Sequence, residues 1–268
     1  MFNIPSGVQT AIHTLFRNGG NVTINGKGTF GFGIDQSAGT IFLGDGAKVF
    51  ATAPTGTPAV NIRGGILGGS GVIDGSVQNS AVLCLANAGK GRPTTLTVEG
   101  SYTQADGGTL ELMIGGPTAG SQYSQLVVHG DANLSGSLSV SFANNFAPVV
   151  GQKFTIMTFN SSKGTFAGVS GVHASNGTVL VPRYNSGAIT LDAAIEPRIT
   201  HSTSHTSPFQ CKFPTTPGFS YKVQSADSFT APILWKTLAT ITGDGSAANF
   251  SDSPPAGPFR CYRVTIEP

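Results

Sequence analysis

The stretch Thr94–Gly171, TTLTVEGSYTQADGGTLELMIGGPTAGSQYSQLVVHGDANLSGSLSVSFANNFAPVVGQKFTIMTFNSSKGTFAGVSG, decides the fold. Short apolar runs (Leu96–Val98, Leu110–Ile114, Leu126–Val128, Leu138–Val140, Phe154–Met157) recur between clusters of Gly, Asn, Asp and Ser. Within each run large residues alternate with Thr, Ser or Glu, which is the period of a strand and not of a helix. In TLELMI this puts Leu110, Leu112 and Ile114 on one face and Glu111 and Met113 on the other, because successive strand side chains point to opposite sides. Such short strands cannot bury a face alone, so they must stack on one another. That pattern predicts the last coils and the cap of a β-solenoid.

Upstream the pattern continues. Apolar strand cores at Val22–Ile24, Ile41–Leu43, Val60–Ile62 and Val82–Leu85 are spaced by about 18 to 22 residues, the scale of one coil. Second strands of the same coils are expected at Thr29–Phe32, Lys48–Ala51 and Val72–Asp74, with corners at GG, GDG and NG pairs, where Gly is free to adopt positive φ. Phe2–Leu15 reads either as a ragged first coil or as a cap, and AIHTLF within it as a strand or a short helix.

Composition agrees with an all-β chain. Of 268 residues only 10% are charged and 37 are Gly, while 39% are hydrophobic and fall in regular runs, which argues against disorder. A net charge of +2 gives no electrostatic case for nucleic acid. No stretch approaches the roughly 20 apolar residues of a membrane span. The N-terminal MFNIPSGVQTAIHT has no basic segment followed by a long apolar one, so no signal peptide is visible. Either the chain is cytosolic or the sequence begins after a processing step or some other boundary; the second is expected, because FNIPSGVQ opens directly into strand-and-turn sequence.

The succession TLTVEGSYTQADGGTLELMIGG, SQYSQLVVHGDANLSGSLSVSF and GQKFTIMTFNSSKGTFAGVSG, with RGGILGGSGVIDGSV before it, resembles the distal passenger region of bacterial autotransporter-type surface proteins. The resemblance covers about residues 60–195 and implies a right-handed parallel β-helix that is exported. The long C-terminal outer-membrane barrel of that family has no counterpart in the sequence, so self-translocation is not implied.

At Pro197 the composition changes, and EPRITHSTSHTSP reads as a connector. The expected division is a solenoid with its cap over 1–195 and a second domain over 196–268. The phrase TPGFSYKVQSADSFTAPILWKTLATITGDGSAANFSDSPPAGPFRCYRVTI resembles a small β-sandwich module appended to many bacterial secreted proteins. On that resemblance Trp235 is expected in the sandwich core near Tyr221, Val223 and Tyr262; a ligand-stacking residue, as in sugar sites, is the other reading. Cys211 and Cys261 sit in strand-like phrases, FQCKF and FRCYRV. A disulfide between them would close a loop of about 50 residues, worth on the order of 4 kcal/mol; two buried free thiols are the other reading. Cys84 in AVLCLA reads as a core thiol of the solenoid.

Chemistry-bearing patterns are sparse. Glycoside hydrolysis usually needs two carboxylates a few ångströms apart. The solenoid acids are Asp35, Asp45, Asp74, Glu99, Asp106, Glu111, Asp131 and Asp192. Asp35 and Asp74 are about two coils apart and are expected to share a face, while Asp45 and Asp131 sit in turn phrases that favour local hydrogen bonds. Lys27, Lys48, Arg63 and Lys90, the candidate bases or substrate clamps of a lyase, are dispersed. His13, His129, His173, His201 and His205 fall in turns or the connector. The His201/His205 spacing would suit a metal only on a helix, and STSHTSP is not helical. No catalytic, cofactor or metal residue is assigned.

The expectation is a non-enzymatic structural protein, extracellular or at the cell surface: a solenoid stalk ending in a β-sandwich, used in a surface layer, fibre or adhesin. Self-association into an oligomer or filament is expected if the solenoid ends are not sealed by polar caps. The alternatives are a carbohydrate-binding module or a polysaccharide-degrading β-helix enzyme, either with polysaccharide as partner.

Overall fold

A computed structural model describes residues 1–85, 92–202, 208–228, 230–252 and 260–268. Among the described residues every regular element is a strand. The chain forms two compact units, one of Met1–Ala147, Lys153–Val172 and Tyr184–Leu191, the other of Pro148–Gln152, His173–Arg183 and Asp192–Pro268.

In the first unit three parallel sheets are visited in rotation, a β-helix-like arrangement. The first sheet stacks Phe2–Ile4, Asn21–Ile24, Thr40–Leu43, Ile66–Gly69, Val82–Cys84, Thr109–Ile114, Ser137–Phe142 and Gly168–Ser170. The second stacks Gln9–Ile12, Lys27–Phe30, Lys48–Ala51, Gly71–Asp74, Thr95–Val98, Gln125–Val128 and Lys153–Thr158, then the start of Ala188–Ile195. The third holds Phe16–Asn18, Ile34–Gln36, Val60–Ile62, Val77–Asn79, Tyr102–Gln104, Ala132–Leu134 and Ser162–Gly164. Seven strands stacked in the third sheet, at about 4.8 Å each, make a stack of roughly 30 Å.

Inward residues lie in register from coil to coil. In the first sheet Val22 pairs with Ile41, Ile41 with Leu67, Leu67 with Leu83, Leu83 with Leu110, Leu110 with Leu138 and Leu138 with Val169. The even spacing read from the sequence is thereby corrected. Val60–Ile62 belongs to the third sheet, and the first-sheet strand of that coil is Ile66–Gly69. Coil length varies: partners on adjacent coils are 19 residues apart for Asn18 and Ser37, 16 for Leu67 and Leu83, and 30 for Glu99 and His129. The AIHTLF segment is no helix: Gln9–Ile12 and Phe16–Asn18 are strands of the first coil.

The third sheet carries an interior row of amides. Asn18, Gln36, Asn79 and Gln104 are buried and aligned, with Ile62 interrupting between Gln36 and Asn79. Each amide meets the corner that leads to the first sheet. Asn18 Nδ2 donates to the Gly20 carbonyl (3.0 Å), and Gln36 Nε2 to those of Gly39 (3.2 Å) and Ile66 (2.9 Å). Asn79 Nδ2 donates to the Thr109 carbonyl (3.0 Å), and Gln104 Nε2 to those of Ser135 and Ser137 (both 2.9 Å). Two of these corners require glycine. Gly39 (φ 69°) and Gly65 (φ 72°) stack so closely that a Cβ on either would lie 2.1 Å from the carbonyl oxygen one coil below.

In the second unit, His201–Ser202, Phe209–Pro214 and Ala247–Asp252 form one antiparallel three-stranded sheet. Lys236–Thr242, Ser220–Ala226 and Cys261–Glu267 form another. Phe213 lies 5.9 Å from Tyr221 between ring centroids, and Phe209 stacks flat on Tyr262 at 3.8 Å. Buried Asp192 is paired with Arg183 at 2.9 Å, and the guanidinium also lies 4.6 Å over the Phe219 ring. An ion removed from water needs such a partner.

Two stability tests follow from this packing. Leu110, Leu112 and Ile114 are at most 2% exposed, whereas Glu111 is half-buried on the outer face. Leu112→Ala should cost about 2–5 kcal/mol and Glu111→Gln less than about 0.5 kcal/mol, read by thermal melts. Tyr102 is fully buried; its hydroxyl donates to Gln104 Oε1 (2.8 Å) and accepts from Asn79 Nδ2 (3.2 Å). Burial pushes its phenol well above the ordinary value, with the Asn79 bond opposing. An unfolded tyrosine ionises near pH 10, so the contribution is complete below that pH and lost as pH rises beyond it. Tyr102→Phe should cost about 1–3 kcal/mol near neutrality and make the alkaline decline shallower, as denaturant titrations over a pH series will show.

Candidate functional site

Most solenoid acids are spent on ties between coils. Asp35 and Asp74 do not share a face: Asp35 is on the third sheet and Asp74 on the second. Asp35 holds Arg63 of the next coil in a two-pronged pair, with Nε at 2.7 Å from Oδ1. Asp45 accepts from Ser70 (2.7 Å) and pairs with Arg92 (2.5 Å). Asp106 accepts from Ser135. Asp131 accepts from Ser161 (2.7 Å) and Asn160 (3.3 Å), bonds that hold its carboxyl below the usual carboxylate range. Asp45 and Asp131 were expected to bond locally. Asp131 instead meets partners 29 and 30 residues away on the neighbouring coil, and Asp45 reaches Ser70, 25 residues away, and Arg92, 47 away. Turn chemistry alone misleads here because stacking brings each corner beside the one below.

The exception is the outer face of the second sheet. There Lys27 lies beside Lys48, Lys48 beside Val72, and Phe50 beside Asp74. Ile73 pairs with Val98 and Val98 with Val128, so Asp74, Glu99 and His129 follow one another on successive coils. Lys48, Phe50, Val72, Asp74 and Glu99 line a hollow of about 280 Å³. His129 Nδ1 is 2.5 Å from Glu99 Oε2, with side chains 56% and 41% exposed. Two carboxylates, a histidine and a lysine are thus brought together from residues that look dispersed in the sequence. Chemically the group offers charge and hydrogen bonding on an open, wet surface. It does not have the water-excluding walls on which general acid–base catalysis relies.

Two further polar hollows lie elsewhere. One, about 420 Å³, lies over the third sheet by Asp106, Asn133, Ser135 and Lys163. The other, about 330 Å³, is lined in the second unit by Gln210, Lys212, Asn249 and Ser251. Among the described residues no group of three or more His, Cys, Asp or Glu is arranged to hold a metal ion, and no helix is long and apolar enough to cross a membrane. His205 and Lys90 lie outside the described residues. His173 Nδ1 is 2.9 Å from Glu196 Oε1.

No protein-family model matches the chain, and no curated protein does.

Three expectations are corrected. The Cys211–Cys261 disulfide is not formed: the two residues stand on strands of different three-stranded sheets, and the Cys261 thiol donates to the Ala226 carbonyl. Cys84 is half-buried on the outer face, because Leu83 takes the inward position. Trp235 lies half-buried just before Lys236–Thr242 with the Arg263 guanidinium 4.1 Å from its ring, and the interior is filled by Phe213, Tyr221 and Val223 instead. Alkylation in denaturant without reductant should therefore add three groups to the intact mass. In the native state Cys211 should react slowest, since it is buried and its thiol is pushed up in pKa by that burial. A mass showing only one reactive thiol would restore the disulfide.

Proposed function

We propose that the chain is an exported structural protein of the cell surface or extracellular space. Its solenoid would be a right-handed β-helix serving as the stalk of a surface layer, fibre or adhesin, and its C-terminal sheets a β-sandwich module. The observation that carries the reading is the use of the acids. Asp35, Asp45, Glu99, Asp106 and Asp131 each bond a residue 25 to 30 positions away on the adjacent coil, so the polar surface braces the stack. The autotransporter-like phrases and the low charge support the same reading. Assembly with further copies fits it, since a stack of parallel strands ends in unpaired backbone groups.

Carbohydrate binding is a second reading, favoured by the hollow with Gln210, Lys212, Asn249 and Ser251 at its rim. Amide, ammonium and hydroxyl groups of this kind suit a sugar's hydroxyls. A polysaccharide-degrading enzyme is the third.

One pair of measurements separates the three. Antibody against the chain should label intact cells of the organism that makes it, and the purified chain should release no new reducing ends or unsaturated sugars from a polysaccharide panel. Labelling only after lysis would contradict the surface role. Cleavage abolished by Asp74→Asn or Glu99→Gln would replace the structural reading with an enzymatic one.

A further inference from the structure

The first coil has a free edge. Phe2–Ile4, Gln9–Ile12 and Phe16–Asn18 are each the terminal strand of their sheet. Toward the next coil, the carbonyls of Ile4, Val8, Ile12 and Asn18 accept from Asn25, Lys27, Gly31 and Ser37, and the Phe16 N–H donates to Gly33. In a parallel ladder only every second residue bonds a given neighbour, so the backbone N–H and C=O of Asn3, Gln9, Ala11, His13 and Arg17 point away from the stack. The interior is open at the same end. Phe2, Ile12 and Phe16 are half-buried, whereas their partners on the next coil, Val22, Phe30 and Ile34, are at most 3% exposed. Met1, Val8 and Leu15 of this coil are exposed.

Backbone donors and acceptors in strand geometry are matched by another strand, and Gln9–Ile12 matches itself. A two-fold axis normal to the second sheet at Ala11 lays this strand antiparallel against its copy. Ala11 then faces Ala11, and Gln9 faces His13, so each of the three residues exchanges both hydrogen bonds with its opposite number. Side chains keep their sides: those of Gln9, Ala11 and His13 stay outside, while Thr10 falls opposite Ile12 on the inner face. The same axis carries the Phe2–Ile4 edge of each copy toward the Phe16–Asn18 edge of the other. Gln9–Ile12 holds neither a proline nor a charged residue of the kind that guards an edge, and Arg17 stands on a different strand from the axis. We infer that the free end of the solenoid docks a second copy of this chain head to head, through antiparallel pairing of Gln9–Ile12 centred on Ala11. The contact is isologous and closes as a dimer.

Strands of about 10–13 Å give a coil end smaller than the roughly 800 Å² per partner of a stable interface. The dimer is therefore weak in dilute solution. Because backbone bonds and apolar contact hold it, added salt has little effect on it. The inference names one contact of the assembly in the structural reading and rests on that reading for its biological use, but its test does not.

Sedimentation velocity of the full chain over a concentration series should show a monomer–dimer equilibrium that barely moves between low and high salt. Ala11→Pro removes a donor that faces away from the stack, where proline is tolerated, and should weaken the dimer by roughly tenfold or more at an unchanged melting temperature. Ala11→Lys and Ala11→Glu each set like charges against themselves at the axis and should weaken it by roughly fivefold. Mixed together, these two exposed-site variants restore opposite charges and should dimerise at least as well as the parent chain. A parent chain that stays monomeric at every concentration, or Ala11 variants that associate like the parent, would overturn the proposal. So would a mixture no better than either charge variant, or open-ended chains in place of a dimer, the mark of head-to-tail joining. None of these outcomes alters cell-surface labelling, so the structural reading stands or falls separately.

Discussion

Where the chain leaves the third sheet for the first, corner backbone groups turn toward a dry interior, and a buried amide meets them. Asn18, Gln36, Asn79 and Gln104 do this at four corners, with Ile62 interrupting between Gln36 and Asn79. An unpaired buried backbone group costs about as much as a lost hydrogen bond or more, so tight corners are possible only where such a donor is present. Gln104 reaches furthest, bonding its own corner at Gly108 and the carbonyls of Ser135 and Ser137 on the coil above. Tyr102 joins the row from the same strand, linking Gln104 to Asn79. Where Ile62 breaks the row, Gln36 Oε1 is left without a partner. The linked stretch from Asn79 through Tyr102 to Gln104 fixes geometry more sharply than an apolar contact would.

The same logic extends outward. Apolar residues in register bury the coils against one another, while corner carboxylates and hydroxyls tie each coil to the next on the outside. The outer face of the second sheet differs in part: Glu99 ties its coil to His129 of the next, while Lys27, Lys48 and Asp74 make no ion pair among the described residues.

How much of this was legible depended on side-chain period. Leu96–Val98, Leu110–Ile114, Leu126–Val128 and Leu138–Val140 were readable as strands, and the inward face of TLELMI followed from alternation. They alternate between the second and first sheets. Of the third sheet only Val60–Ile62 reads as a strand in the sequence, and even spacing assigns it to the wrong stack. The strands of this sheet are three residues long, and in IDQ, VQN and YTQ an inward position is an amide, so no apolar alternation marks them as strands. Without those strands the coil length could not be right. Cross-coil partners of Asp45 and Asp131, and the meeting of Lys48, Asp74, Glu99 and His129, needed the register, which no local pattern encodes. The Cys211–Cys261 and Trp235 expectations failed for a related reason: membership of a strand-like phrase does not say which sheet, or which face, a residue joins.

The central claim is that buried amides hold the corners, and Gln104→Leu tests it most directly. The side chains are close in size, so packing changes little while Tyr102 and the carbonyls of Gly108, Ser135 and Ser137 lose their partner. Gln78→Leu, on the outer face of the adjacent strand, makes the same chemical change without burial. Equilibrium denaturation should show a loss of more than about 2 kcal/mol for Gln104→Leu and less than about 0.5 kcal/mol for Gln78→Leu. A Gln104→Leu protein as stable as the parent would contradict the account.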